Sequence, residues 1–118
     1  MTFQNRRSAK WEARLDYEVG KLRNAQTYRE LTLNRLKDLV GAPNEAELLR
    51  ALAKRVSEGD LQVVYRVVSP WTQASLATYK SPLDVPDTML DDSTGETIDI
   101  DRYRNVEPVY VSEVVGVQ

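Results

Sequence analysis

Cysteine and histidine are both absent from the 118 residues of the chain. Structural zinc sites take most of their ligands from these two residue types, so such a site is excluded. Their absence also removes the thiol nucleophile and the imidazole base on which many enzymes depend. We therefore predict a protein that is not an enzyme, and we assign no catalytic, cofactor-binding or metal-binding residue and no cofactor.

Long hydrophobic runs are also missing from the sequence. A membrane-spanning helix needs about 20 consecutive apolar residues, so no membrane association is expected. The first eight residues, MTFQNRRS, lack the apolar centre of a signal peptide. Together with the lack of cysteine, this favours a cytoplasmic location.

Charge is unevenly distributed along the chain, although the net charge is only −2. Residues 1–40 hold nine Lys or Arg against five Asp or Glu, whereas residues 61–118 hold four against nine. The chain therefore has a basic front and an acidic back. This asymmetry is compatible with ordinary solvated faces, and it can also steer an anionic partner towards one end.

A long N-terminal helix is predicted from Arg6 to Val40, with apolar residues at alternating spacings of four and three. Its seam consists of Trp11, Leu15, Leu22, Ala25, Leu36 and Leu39. Polar residues interrupt the seam, which argues against a sustained coiled coil. At 1.5 Å per residue the helix would be roughly 50 Å long. It must therefore bend near Gly20–Asn24 or project one half towards a partner.

A second helix is predicted from Glu45 to Ser57. Asn44 and Glu47 have the spacing of a capping box at its start, and Gly59 provides a stop after its end. This helix should pack on the C-terminal half of the first as an antiparallel helical hairpin. We thus assign residues 1–59 to a helical region.

Residues 60–118 are predicted to form a small β-module, because the apolar period changes from 3.6 to 2 after Asp60. The whole chain is accordingly predicted to be α+β. Pro108 would place the last strand at a sheet edge, and a helical turn is expected at Asp87–Leu90. The predicted strands are Leu61–Val68, Ser75–Tyr79, Thr97–Ile100 and Val106–Val111.

Two turns in this module have a related form. They are Ser69-Pro70-Trp71-Thr72, and Asp92–Gly95 within the segment Asp91–Glu96. Each is similar to the Cys-Pro-x-Cys turn at the tip of a zinc-ribbon hairpin, with both metal ligands replaced. With the strands around them, residues 47–111 resemble the C-terminal zinc-ribbon-like module of small accessory proteins encoded in bacterial conflict and antiphage operons. All the positions of the metal ligands differ here, so the resemblance implies an antiparallel zinc-ribbon-like module without metal. It further implies an adaptor that links a partner or sensor to an effector, with no catalytic activity.

Partner binding is predicted at the N-terminal half of the first helix. Trp11, Leu15 and Leu22 form an apolar stripe that a second helix of roughly 20 Å cannot cover. An exposed stripe of this kind should bind another subunit or a second copy of the chain. A charged rim would surround it, formed by Arg7, Lys10 and Arg14.

Trp71 has two interpretations. It can anchor an interface, because tryptophan is enriched at the energetic centre of protein contacts. Alternatively it folds over the gap left by the missing metal, and we favour this core role.

A nucleic-acid-binding protein is the alternative function. The second helix and the strands after it can also be interpreted as the end of a winged helix, with Arg50, Lys54 and Arg55 on the recognition helix. These three would contact phosphates together with the basic residues of the first helix, which are Arg6, Arg7, Lys10 and Arg14. The acidic residues of the same helix and of the region after it would repel DNA. We therefore prefer a protein–protein interaction subunit.

Overall fold

A computed structural model describes residues 3–24 and 29–112, with side chains from Lys10 onward. The described residues form an α+β protein of three α-helices and antiparallel strands. The chain divides into two compact units. The first extends to Gln62 and includes Tyr110 and Val111 near the end of the last strand, and the second is Val63–Val109.

Four elements build the N-terminal part of the first unit, and three of them are helices. In chain order they are α1 (Phe3–Arg23), β1 (Glu30–Thr32), α2 (Leu33–Val40) and α3 (Glu45–Ser57). The prediction of one long helix from Arg6 to Val40 is therefore wrong. Ala25 of its predicted seam lies outside the described residues.

The break in the predicted helix has a local cause at Thr32. This residue has an extended backbone (φ −76°, ψ 159°), and its hydroxyl accepts a hydrogen bond from the amide of Arg35. The distance from Arg35 N to Thr32 Oγ1 is 3.1 Å. A residue that caps a new helix in this way is not inside a preceding one, so α2 begins afresh at Leu33.

The predicted second helix is confirmed as α3. Asn44 Oδ1 accepts a hydrogen bond of 2.9 Å from the amide of Glu47, as expected of an N-cap residue. Before it, Gly41 ends α2 in the left-handed conformation at φ 70°. Residues other than glycine are disfavoured at that angle, so Gly41 determines where the chain leaves α2.

The apolar stripe of α1 is buried, which corrects the expectation that it faces water. Trp11, Leu15 and Leu22 are each at most 5% exposed. The sequence did not reveal that α2 would pack against α1. This packing is possible because the first helix ends at Arg23 and α2 is a separate helix. Arg14 strengthens this packing, since its Nη1 donates to the terminal carbonyl of α2 at Val40 over 3.4 Å.

All four strand predictions are confirmed within one residue at either end, and one further strand of the second unit, Thr88–Asp91, was not predicted. The strands are β2 (Gln62–Val68), β3 (Ser75–Tyr79), β4 (Thr88–Asp91), β5 (Glu96–Asp99) and β6 (Val106–Val111). One sheet has the order β1-β6-β2-β3, and β4 pairs with β5 in a second sheet. A 3-10 turn at Pro82–Asp84 lies between β3 and β4 in the chain.

Two local predictions are wrong. The segment expected to make a helical turn at Asp87–Leu90 is largely strand β4, where it pairs with β5. The last strand is also not at an edge, because β6 lies between β1 and β2. Pro108 favoured an edge because proline cannot donate to a ladder. Since β1 has three residues and β6 has six, β1 can pair with only part of β6.

The core of the second unit joins residues from strands and from the segments between them. Its buried members are Val67, Val85, Ile98 and Ile100, and half-buried apolar neighbours pack around them. The hairpin β2–β3 enters this core in antiparallel register, with Tyr65 opposite Tyr79 and an irregularity after Val67. Apolar packing thus supports the hairpins from which the two turns project.

We expect Leu15→Ala to destabilise the fold by about 2–5 kcal/mol, because it removes a fully buried side chain and leaves a cavity. Urea unfolding followed by circular dichroism measures the change. Leu83→Ala is the matched control, since that leucine is almost fully exposed and should shift stability by less than about 0.5 kcal/mol. Equal effects of the two substitutions would contradict the buried position of α1.

Candidate functional site

Two hairpin tips meet through side-chain hydrogen bonds in the second unit. The first tip comprises residues 69–74 between β2 and β3, and the second comprises residues 91–95 at the β4–β5 turn; together we call them the turn pair. Ser69 Oγ donates to Asp91 Oδ2 over 2.5 Å. The hydroxyls of Thr72 and Ser93 share a second hydrogen bond of 2.6 Å. The turn pair therefore brings the two sequence motifs together.

Ser69 organises the backbone of the first tip. Its Oγ accepts hydrogen bonds of 3.2 Å from the amides of both Trp71 and Thr72. A serine hydroxyl offers one donor and two acceptor positions, and all three are used here. The Ser69 amide donates to Ala74 O over 2.8 Å, and its carbonyl accepts from Gln73 N over 3.0 Å. The tip is thus fixed on both sides of Trp71.

Asp91 organises the second tip in the same manner. Its Oδ1 accepts the amide of Ser93 over 2.9 Å and also the Ser93 hydroxyl. Its backbone carbonyl accepts from Gly95 N over 2.7 Å, and Gly95 takes the left-handed conformation at φ 78°. This is the arrangement in which an aspartate side chain closes its own turn.

The Asp91 carboxylate is fully buried and still favours its ionised form. The hydrogen bond from Ser69, followed by that from the Ser93 hydroxyl, holds its pKa below the ordinary value of 3.8, while burial opposes this shift. A carboxylate that accepts several hydrogen bonds is stabilised in its charged state. The centre of the turn pair is therefore a satisfied anion.

Trp71 lies on the outside of the turn pair and is 71% exposed. The favoured core role is therefore wrong. The physical reason is that Ser69 and Asp91, both fully buried, contact each other directly between the tips. A polar contact therefore occupies the place where the indole ring was expected, and the role of Trp71 as an interface anchor stays a prediction.

The remaining predicted partner-binding residues do not form an accessible apolar surface among the described residues. Trp11, Leu15 and Leu22 are buried, and the Arg14 guanidinium contacts the end of α2. Lys10 is exposed. The side chain of Arg7 lies outside the described residues.

The three cations that the nucleic-acid alternative places on α3 differ in availability. Arg50 and Lys54 are exposed on α3. Arg55 is half-buried and forms an ion pair with Asp16 of α1. The same face of the first unit carries further carboxylates, including those of Glu12 and Glu47, around a cleft of about 570 Å³.

The central role of Asp91 was missed, because the turn motif was centred one residue later on Asp92–Gly95. The spacing Asp91-x-Ser93 could have revealed it, since an aspartate commonly accepts the amide two residues ahead. Its burial had no sequence signal, because it depends on the contact with Ser69, which is 22 residues away in the chain.

Comparison of the chain with protein-family models, with curated proteins and with solved structures gives no match. Within residues 3–24 and 29–112, the structure contains no helix that is both long enough and apolar enough to cross a membrane. In the same part of the chain, no three or more acidic side chains are grouped as metal ligands. The geometry of the turn pair is thus the main guide to function.

We expect acid to destabilise the protein through Asp91. Its folded-state pKa is lowered, so its stabilising effect is complete above the unfolded-state pKa of about 3.9. The effect is lost as pH falls through the folded-state pKa, because the unfolded chain takes up the proton first. The urea concentration at the unfolding midpoint of the wild type should therefore decrease once the pH falls below about 4, where this aspartate titrates.

Asp91→Asn should have a lower urea midpoint than the wild type at neutral pH. Its midpoint should then decrease less than that of the wild type when the solution is made acidic. Asp92→Asn changes the adjacent exposed carboxylate and should follow the wild-type curve. Parallel pH profiles for Asp91→Asn and the wild type would contradict the assignment of this acid sensitivity to Asp91.

Proposed function

We propose that the protein is a non-catalytic adaptor that binds another protein through Trp71 at the turn pair. The main support for this proposal is that Trp71 is 71% exposed on a tip whose backbone is held by hydrogen bonds to Ser69. By the sequence resemblance, the setting would be a multi-component bacterial assembly, for example one for antiphage defence.

An ordered tip makes Trp71 suited to this role. Tryptophan side chains often contribute most of the binding free energy at an interface. Association is also less costly when the binding residue is already held in place, because less conformational entropy is lost. Both amides next to the indole, those of Trp71 and Thr72, are already hydrogen-bonded in the free chain.

The proposal includes the finer description of the second unit as a metal-free zinc-ribbon-like module. Its support is that the two turns on which the resemblance rests are joined at the tips of two hairpins. Hydrogen bonds between Ser69 and Asp91 and between Thr72 and Ser93 connect them. In this description, polar side chains replace metal coordination and keep the tips aligned.

Nucleic-acid binding is the second candidate, favoured by the helix pair α2–α3. The two helices are joined by only four residues that begin with Gly41, which is typical of a helix-turn-helix. The start of the second helix would enter the major groove, but here it carries Glu45 and Glu47. These carboxylates would repel phosphates, so this function ranks below protein binding.

Trp71→Ala should abolish partner capture without unfolding the chain. The full-length protein would be used as bait in an extract of the cells that produce it, and recovered proteins would be quantified by mass spectrometry. We expect at least a tenfold loss of a stoichiometric protein partner, in line with the loss of an interface anchor. Tyr103→Ala is the matched control, since it removes another exposed aromatic ring of the same unit.

Far-UV circular dichroism should be the same for the wild type and both variants. Equal capture of the partner by Trp71→Ala and the wild type would contradict the proposal. Recovery of nucleic acid instead, with a loss on Arg50→Ala/Lys54→Ala, would establish the second candidate.

A further inference from the structure

We infer that the partner recognised at the turn pair presents a cationic segment, rich in arginine or lysine, to Trp71 on the first tip and to the carboxylates at the second tip. This inference rests on the proposed function and specifies the chemistry of the partner. It follows from the charge of the second unit, from the way in which that unit's cations are engaged, and from the hydrogen bonds that join the tip of Trp71 to the acidic tip.

Acidic residues dominate the second unit. Between Val63 and Val109 there are eight Asp or Glu residues against four Lys or Arg. Three of the four cations are held in internal ion pairs with Glu107, Asp87 and Asp101. The unit therefore presents a net negative field.

The engaged cations are bound in different ways. Arg66 Nη1 lies 3.6 Å from Glu107, and Arg104 Nε lies 3.8 Å from Asp101. Arg102 is held most extensively, since it contacts Asp87 over 3.1 Å and donates to the backbone carbonyl of Val85. Such contacts leave little positive charge in this unit to neutralise further carboxylates.

Four carboxylates of the unit are exposed and form no salt bridge with the described residues. They are Asp84, Asp92, Glu96 and Asp99. Two of these, Asp92 and Glu96, are in or directly after the second tip. A partner cation would therefore gain an ion pair there without first displacing one.

Chain geometry limits the distance between Trp71 and Asp92. Each residue is adjacent in sequence to one member of the Thr72–Ser93 hydrogen bond, which spans 2.6 Å. Since neighbouring Cα atoms are 3.8 Å apart, the Cα atoms of Trp71 and Asp92 are separated by no more than about 15 Å. An extended partner segment covers this span with about five residues, at 3.3 Å per residue.

The indole ring and the carboxylates favour the same kind of partner. A cation over the face of tryptophan is attracted by the electron-rich ring, and arginine is the usual occupant of such a position. Arginine can also bind a carboxylate through two parallel hydrogen bonds. An acidic partner would instead be repelled by Asp92 and Glu96, and nucleic acid is disfavoured at this surface for the same reason.

Fluorescence anisotropy with three labelled peptides tests this inference on the full-length chain. The peptides share one leucine and glycine frame and carry arginine, serine or glutamate at the same positions. We expect the arginine peptide to bind at least tenfold more tightly than the serine peptide, and the glutamate peptide to bind most weakly. Binding of the arginine peptide should weaken at high salt, because exposed ion pairs are screened.

Variants of the chain separate the contribution of the indole ring to binding from that of the two carboxylates. Trp71→Ala should weaken binding of the arginine peptide at least tenfold, and Asp92→Asn/Glu96→Gln should weaken it several-fold. Leu83→Ala is the control, since it removes another exposed apolar side chain of the same unit and should leave binding unchanged.

The outcomes distinguish this inference from the proposed function. If the serine peptide binds as tightly as the arginine peptide and both still require Trp71, the cationic partner is overturned and the interaction role of Trp71 stands. If none of the peptides distinguishes Trp71→Ala from the wild type, the cationic partner is overturned, and the capture experiment then decides the proposed function separately.

Discussion

The hydrogen bond from Ser69 to Asp91 is the contact on which the arrangement of the second unit depends. It joins two hairpin tips that are separated by 22 residues in the chain. Each of the two side chains also accepts hydrogen bonds from the backbone of its own tip, so one contact links two local turns. A buried network of this kind is stable only when its polar groups find partners, and here both Ser69 and Asp91 do.

This network explains how a small β-module can present a large aromatic ring to solvent. Small domains with limited apolar cores often require a metal or a disulfide, and this chain has no cysteine for either purpose. Directional hydrogen bonds between the tips supply the alignment instead. The buried cluster around Val67 and Ile98 supplies the packing beneath them. Trp71 is then free of any role in the core, which makes a role in binding physically reasonable.

Local signals predicted some elements of the fold and missed others. The cap at Asn44 and the strand at Val106–Val111 depend on nearby residues, so they could be predicted. The strand β1 could not, because a threonine such as Thr32 occurs inside helices as well as at N-caps, and the partner strand β6 lies more than 70 residues later. The burial of Trp11 depended on that missed break. The exposure of Trp71 depended on whether polar side chains would meet between the tips.

A double-mutant cycle on Ser69→Ala and Asp91→Ala measures the coupling between the two tips. Residues in one hydrogen-bond network show non-additive effects on stability, whereas independent residues show additive ones. The double variant should lose clearly less stability in urea unfolding than the two single variants do in sum, because either substitution already removes the shared hydrogen bond. Additive losses at the two positions would contradict the claim that this hydrogen bond holds the tips together.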